Sequence, residues 1–224
     1  MTERARRRSD APSERTRVRR LGERGAYDAA SIHQILDAGL LAHVAYVIDG
    51  APYVTPTAHW REGDYVYWHG SSASRMLRNL EGGVAACIAV SHLDGLVLAR
   101  SAFHHSLNYR SVMAFGLAEK LEEPAHKEAA LRAFTDRIAP GRWETLRPVT
   151  AQELKATSVM RLKLDEASAK IRSGMPSDDE DDIGWPAWAG VLPLRTTAGP
   201  PLPDAHVPAG MAVPPRLGHC LQGD

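Results

Sequence analysis

The stretch Leu40-Leu41-Ala42-His43-Val44-Ala45-Tyr46-Val47-Ile48-Asp49-Gly50-Ala51-Pro52-Tyr53-Val54-Thr55-Pro56-Thr57-Ala58-His59-Trp60 decides the fold. Two strand-like runs, 40–48 and 51–60, flank Asp49–Gly50, a pair strongly favoured where a two-residue hairpin needs positive φ at its centre. Just upstream, Asp28 can cap a helix through 29–38, with Ile32, Ile35 and Leu36 on one face and Gly39 as its stop. Downstream, a turn at Glu62-Gly63-Asp64 leads to a strand at 64–69. Residues 72–80 then place Met76, Leu77 and Leu80 at helical spacing. Strands are expected at 84–92 and 95–102, joined at Asp94–Gly95, and a sixth from about 109 to 121. The run Val84–Val90 is apolar on both faces and built of small residues, as a central barrel strand would be.

Pro124 opens a helix to about 138, where its missing N–H does no harm. Thr150-Ala151-Gln152-Glu153 has capping-box spacing. Residues 157–164 alternate Val159, Arg161 and Lys163 against Met160, Leu162 and Leu164, which suits a last strand with one wet face. Short strands, hairpin turns and few helices predict a mainly β protein, a small antiparallel barrel with flanking helices.

The 224 residues fit one domain with unfolded ends. Residues 1–20 hold eight arginines against three acids and almost no large apolar side chain, the composition of a disordered basic tail. Residues 21–196 form the expected domain. From 197 to 224, six prolines and four glycines indicate a second tail, and five acids at 178–182 an exposed loop. Lys+Arg and Asp+Glu both count 27, so no overall field favours nucleic acid or a membrane. The basic tail lacks aromatic interleaving, so nucleic acid is not an expected partner. No run suits a signal peptide or a membrane span, and Cys87 and Cys220 are too few for a disulfide framework. A cytoplasmic protein with reduced thiols is expected.

Chemistry concentrates in Tyr67-Trp68-His69-Gly70-Ser71-Ser72-Ala73-Ser74-Arg75. It leaves a strand, passes a glycine and three hydroxyls, and enters a helix with arginine in its first turn. Free N–H groups, hydroxyls and a guanidinium there suit a phosphate; the alternative is a serine helix cap beside a solvated arginine. Arg110–Ser111 repeats the pairing of arginine with hydroxyl, and the two pairs together suggest one anionic ligand. In the third stretch, Pro52–Trp60, Pro56 cannot donate to a ladder, so the strand is bulged or at an edge. Free backbone groups there could read a planar heterocycle, unless the irregularity is merely that of an edge.

These three stretches, in this order and spacing, resemble the FMN-binding split-barrel superfamily. The match is to its pyridoxamine 5′-phosphate oxidase-like branch, which includes proteins similar to nitroimidazole-resistance reductases. Leu93–Ser101, Phe103-His104-His105, Asn108–Val112 and Pro186–Leu194 carry the likeness further. The resemblance implies a six-stranded antiparallel split barrel that forms a homodimer, with two FMN molecules in clefts between subunits. Ser71, Ser74 and Arg75 would hold the phosphate, joined by Arg110 and Ser111. Thr57, Ala58 and His59 would run along the isoalloxazine, and Trp188 would pack over the ring from the partner subunit. His69 matches a histidine close to the flavin and is the candidate catalytic group, a proton donor or substrate hydrogen-bond partner. Sharing strand parity with Tyr65 and Tyr67, it would otherwise be part of the barrel wall.

The implied function is an FMN-dependent oxidoreductase acting on a small molecule. No glycine-rich dinucleotide fingerprint is visible, so NAD(P)H would bind only transiently. Authentic pyridoxamine phosphate oxidases carry a C-terminal Arg-Leu-x-Pro element; here Arg216-Leu217 is followed by Gly218-His219, so that substrate is not expected. The alternatives are a flavin-storage module without turnover, a deazaflavin protein, or a haem protein using one of His43, His92, His104 or His105. Adjacent histidines on a strand face opposite ways, so His104 and His105 cannot share one iron. No Cys/His spacing matches a structural zinc site.

Overall fold

The computed structural model describes residues 11–217. A two-residue strand β1 (Gly25–Ala26) and helix α1 (Ala29–Asp37) come first. The Asp28 carboxylate accepts the Ser31 N–H at 2.9 Å, and Ile32, Ile35 and Leu36 are buried. Strands β2 (Leu41–Ile48) and β3 (Ala51–Glu62) form the hairpin, paired from Leu41↔Ala58 to Ile48↔Ala51. Its turn residues Asp49 and Gly50 take φ 50° and 77°, the left-handed region this turn requires. Then follow β4 (Tyr65–Ser71), α2 (Arg75–Glu81), β5 (Ala85–Leu98), β6 (Ser106–Leu117), β7 (Glu119–Lys120) and α3 (Pro124–Ile138). The chain closes with α4 (Ala151–Ala156), β8 (Thr157–Lys163), β9 (Ala167–Arg172) and β10 (Gly190–Pro193).

All pairings are antiparallel, in the order β1-β9-β6-β5-β2-β3-β4-β8-β7, with β10 added to the end of β5. Strand β3 belongs to both halves: residues 51–58 pair with β2, and residues 59–62 pair with β4. Pro56 sits opposite His43 without a register shift, on the part of β3 that has one neighbour. The inner faces enclose a core of Val44, Val66, Trp68, Ile88, Met160 and Leu162, closed by Leu36 of α1 and Leu77 and Leu80 of α2. Each such side chain contributes about 1.5–3 kcal/mol on burial. A second, smaller cluster of Trp60, Tyr67, Val159 and Ala130 lies on the other face of β4, covered by α3.

The structure departs from the expected strand list. No hairpin forms at Asp94–Gly95. Instead β5 runs unbroken past a bulge in which Asp94 has no partner, Leu93 facing Tyr109 and Gly95 facing Asn108. The Arg110 guanidinium holds the Asp94 carboxylate, and β10 lies so close that a Cβ at Gly95 would meet the Leu192 carbonyl at 3.1 Å. The Asp-Gly pair therefore serves a bulge, not a turn. The strand at 157–163 is not the last: β9 follows it and pairs with β6. The seven strands read along the sequence, and the six of the resemblance, become ten among the described residues.

The ends differ too. Thr16 is buried, Val18 N–H donates to the Tyr27 hydroxyl at 2.9 Å, and Arg15 pairs with Glu166. The expected basic tail thus joins the barrel over its second half. In the acidic run, the Asp178 side chain is only 3% exposed and accepts the Arg100 N–H at 2.7 Å and Nη1 at 2.8 Å. That bonding holds its carboxyl below the usual range. Residues 194–217 form no strand or helix, and Gly218-His219 and Cys220 lie outside the described residues.

Candidate functional site

On the outer face of β4, Tyr67 stacks on Trp60 of β3 at 5.6 Å between centroids. His69 continues that face. Its ring lies 5.7 Å from Trp60 and 4.8 Å from Phe134 of α3. His69 Nδ1 is buried and makes no hydrogen bond among the described residues. Burial lowers the pKa of the imidazole, so it is neutral at pH 7. His69 lines a cavity of about 440 Å³, walled by Leu131, Phe134, Trp143, Leu146 and Val149, with Arg147 and Glu153 among its lining.

Arg147 and Glu153 form an exposed ion pair, Nη1 to Oε2 at 3.0 Å. Glu153 also closes the capping box of α4 with Thr150, which fixes where the pair stands. The guanidinium and the capping bonds bring the Glu153 carboxyl down to about 2. No sequence motif announced this wall. Leu131 and Phe134 at i, i+3 on α3 were its visible trace.

Ser71–Arg75 lies at the end of the same strand. Helix α2 starts at Arg75 and not at 72, so Ser71–Ser74 is a turn. The Ser71 hydroxyl accepts the Ala73 N–H at 3.2 Å, and Ser72 N–H donates to the Ala156 carbonyl at 2.8 Å. Ser74 occupies the N-cap, yet its hydroxyl makes no capping bond. The Arg75 guanidinium lies 4.4 Å over the Tyr53 ring and forms no ion pair among the described residues. Tyr53 in turn stacks on Tyr46 at 5.7 Å, so Arg75 rests on a fixed platform.

The other expected site residues fall elsewhere. Thr57 shares the inward face of Tyr53 and Thr55, while Ala58 turns outward beside Leu41. His59 is fully buried: its Nε2 donates to the Leu36 carbonyl at 3.0 Å, and burial brings its pKa to about 4. With His92 Nε2 on Ile35 O at 2.9 Å and Arg137 Nη2 on Asp37 O at 2.7 Å, it clamps the end of α1. Its side chain therefore belongs to the core and not to a ligand surface. Arg110 spends Nε and Nη2 on Asp94, each at 2.9 Å, and the Ser111 hydroxyl donates to Lys170 O at 3.3 Å. Three strands lie between β6 and β4, so these two do not join Ser71–Arg75 within one chain. Trp188 is exposed, its ring folded against Gly190 just before β10.

The structure brings His69, Ser71, Ser74 and Arg75 together on one strand and its exit, and leaves Arg110, Ser111 and Trp188 toward the β5–β10 end. Of the histidines weighed as haem ligands, His92 bonds Ile35 O, His104 approaches Asp179 at 3.2 Å and His105 bonds Ser101 O at 2.8 Å. His43 lies on the outer sheet face.

Residues 28–171 match the pyridoxamine 5′-phosphate oxidase family. The chain belongs to that family. As a pyridoxamine 5′-phosphate oxidase family member it has the fold of the flavin-binding split barrels, mainly β with a few helices. Among solved structures, a flavocytochrome from Azotobacter vinelandii is 49% identical, over 93% of this chain and 97% of that one, with a TM-score of 0.88. The FAD and haem binding protein from Mycobacterium smegmatis is 40% identical, over 88% and 97%, with a TM-score of 0.84. A Bacteroides thetaiotaomicron protein assigned to 5-nitroimidazole antibiotic resistance is 21% identical over 66% and 86%, at a TM-score of 0.54, a likeness of fold alone. No curated protein matches this family member.

Proposed function

We propose that this chain is a flavoprotein that also holds haem, with FAD anchored at Ser71–Arg75 and haem in the His69 cavity. In this reading it carries electrons between the two and a small molecule. The observation that carries it is His69: a neutral, half-buried imidazole whose Nδ1 is buried without a hydrogen-bond partner among the described residues, on the wall of an aromatic and aliphatic cavity. The names of the solved structures 49% and 40% identical to it, a flavocytochrome and an FAD and haem binding protein, support the reading. FMN, the flavin expected from the sequence, shares its ring and first phosphate with FAD; the Mycobacterium smegmatis protein favours FAD.

Bound haem would supply one-electron chemistry at a potential set by its ligand and surroundings. His69 offers an imidazole nitrogen as ligand, and Trp60 and Phe134 fix its ring plane. Leu131, Leu146 and Val149 exclude water. Arg147 is placed to exchange Glu153 for a carboxylate of the bound group. Ser72, Ser74 and Arg75 offer donors to the flavin phosphate.

The chain is also proposed to be a homodimer. Leu41 and Val47 of β2, Val54 of β3, and Met113 and Leu117 of β6 are exposed on the outer faces of neighbouring strands, with Cys87 and Ala89 of β5 between them and the Arg15 guanidinium 5.3 Å over the Phe115 ring. A contiguous apolar face of that kind marks an association surface. Through it the Arg110–Trp188 end of one subunit would complete the flavin site of its partner.

The test is the absorption spectrum of the purified protein, with released cofactors identified by mass. Haem and FAD are both expected. His69→Ala should lose the haem bands and keep the flavin bands. A wild-type protein without haem absorption, as isolated and after addition of haem, would overturn the assignment.

A further inference from the structure

A second cavity opens beside the Ser71–Arg75 turn. It has a volume of about 410 Å³ and lies between α3, α4 and the ends of β4, β7 and β8. Three lysines line it: Lys127 on the first turn of α3, Lys120 on β7 and Lys155 on α4. Lys127 is 8% exposed, which is unusual for an ammonium group. Its Nζ donates to the Leu154 carbonyl, which satisfies one of three N–H donors. Lys120 sits between Glu81 at 3.4 Å and Glu122 at 3.5 Å. Glu81 is engaged a second time, by the Ser158 hydroxyl at 3.0 Å. Around the cavity, then, three ammonium groups face two carboxylates, and the most buried ammonium has no carboxylate of its own among the described residues. Burial and the neighbouring Lys120 both push the Lys127 pKa down, a strain that a bound anion would relieve. Pro124, Ala151 and Leu154 supply apolar wall.

The cavity begins where the flavin anchor ends. Ser72 lies within the Ser71–Arg75 turn and also lines the cavity, and its N–H bond to Ala156 ties the turn to the end of α4. A ligand whose first phosphate rests on this turn meets Ser72 next and the lysines after it. A mononucleotide stops at that first phosphate; a dinucleotide continues.

We propose that the cavity lined by Ser72, Lys120, Lys127 and Lys155 receives the adenosine diphosphate half of FAD. Lys127 and Lys120 take the pyrophosphate, and Pro124, Ala151 and Leu154 form the floor under the adenine. This rests on the flavin reading above and adds what selects the dinucleotide over FMN.

Quenching of flavin fluorescence on titration tests it, with FAD and FMN run in parallel. Lys127→Met keeps the buried aliphatic stem and removes the ammonium. It is expected to weaken FAD at least tenfold and to leave FMN unchanged. Lys155→Gln, on the exposed rim, is expected to do the same more weakly with folding untouched. Equal losses for FAD and FMN, or no loss in either variant, would overturn the proposal while the flavin reading stands. A wild type that takes up neither flavin would overturn the flavin reading. Calorimetry with ADP alone then decides for the cavity: binding weakened by Lys127→Met supports it, and no binding overturns it. If FAD and FMN bind equally and Lys127→Met weakens NADH on the FMN-loaded protein, the cavity belongs to a separate donor and the proposal fails.

Discussion

The His69 imidazole and the Phe134 ring lie 4.8 Å apart at 59°, a tilted contact through which α3 packs onto β4. Phe134 and Trp60 are the two rings packed against this imidazole, whose Nδ1 is buried. Phe134→Ala is expected to raise the His69 pKa toward its ordinary value, seen in an NMR titration of its ring protons. Haem uptake should weaken in the same variant. A titration midpoint that does not move would show that Phe134 does not control the solvation of this ring.

Arg75 touches Tyr53 and no acid among the described residues, so its removal disturbs little of the fold. Arg75→Ala is expected to lower flavin affinity about tenfold or more, the scale of one charge-assisted hydrogen bond. Stability should shift by less than about 0.5 kcal/mol. Fluorescence titration and chemical denaturation on the same sample separate the two effects.

Val54 is 61% exposed on the outer face of β3, at the β3 edge of the apolar surface. Val54→Glu is expected to give a folded monomer in sedimentation equilibrium, and the wild type a dimer. A wild-type monomer at all concentrations would remove the dimer from the proposal.

His59 links stability to pH. Its folded pKa is about 4, against 6.5 for a free imidazole, because burial disfavours the cation. Between these values the unfolded chain binds the extra proton. Stability is therefore lost as pH falls below 6.5, with the loss complete near 4. Denaturation near pH 5 should show about 2 kcal/mol less stability from this group than near pH 8. His59→Gln is expected to be less stable at neutral pH and to lose that part of the slope.

The elements legible in the sequence are those whose signals are local. Asp28, Asp49–Gly50, Pro124 and the Thr150–Glu153 box each act within a few residues, and each appears where it was read. Strand β9 was not legible, because Ala167, Ser168 and Ala169 are small and all buried, so no alternation marks a wet face. The Asp94–Gly95 bulge was not legible for a different reason. Its cause is Arg110 on another strand and the close passage of β10, neither visible from the dipeptide.

The site divides in the same way. The turn Ser71–Arg75 and the place of His69 on β4 follow from local pattern. The cavity that gives His69 its meaning is built by Phe134, Trp143 and Leu146 from distant segments. Arg110 looked like a second phosphate ligand because a sequence shows the guanidinium and not the carboxylate that already holds it.

Strand β3 carries Val54 on the outward face of one sheet and Trp60 against His69 in the other. Six residues of extended chain, roughly 20 Å, separate them with no loop between. Any lateral displacement of the first half of β3 is therefore delivered to the Trp60 indole as a tilt of the same backbone. The surface where a second subunit would press and the ring that braces His69 are two ends of one lever.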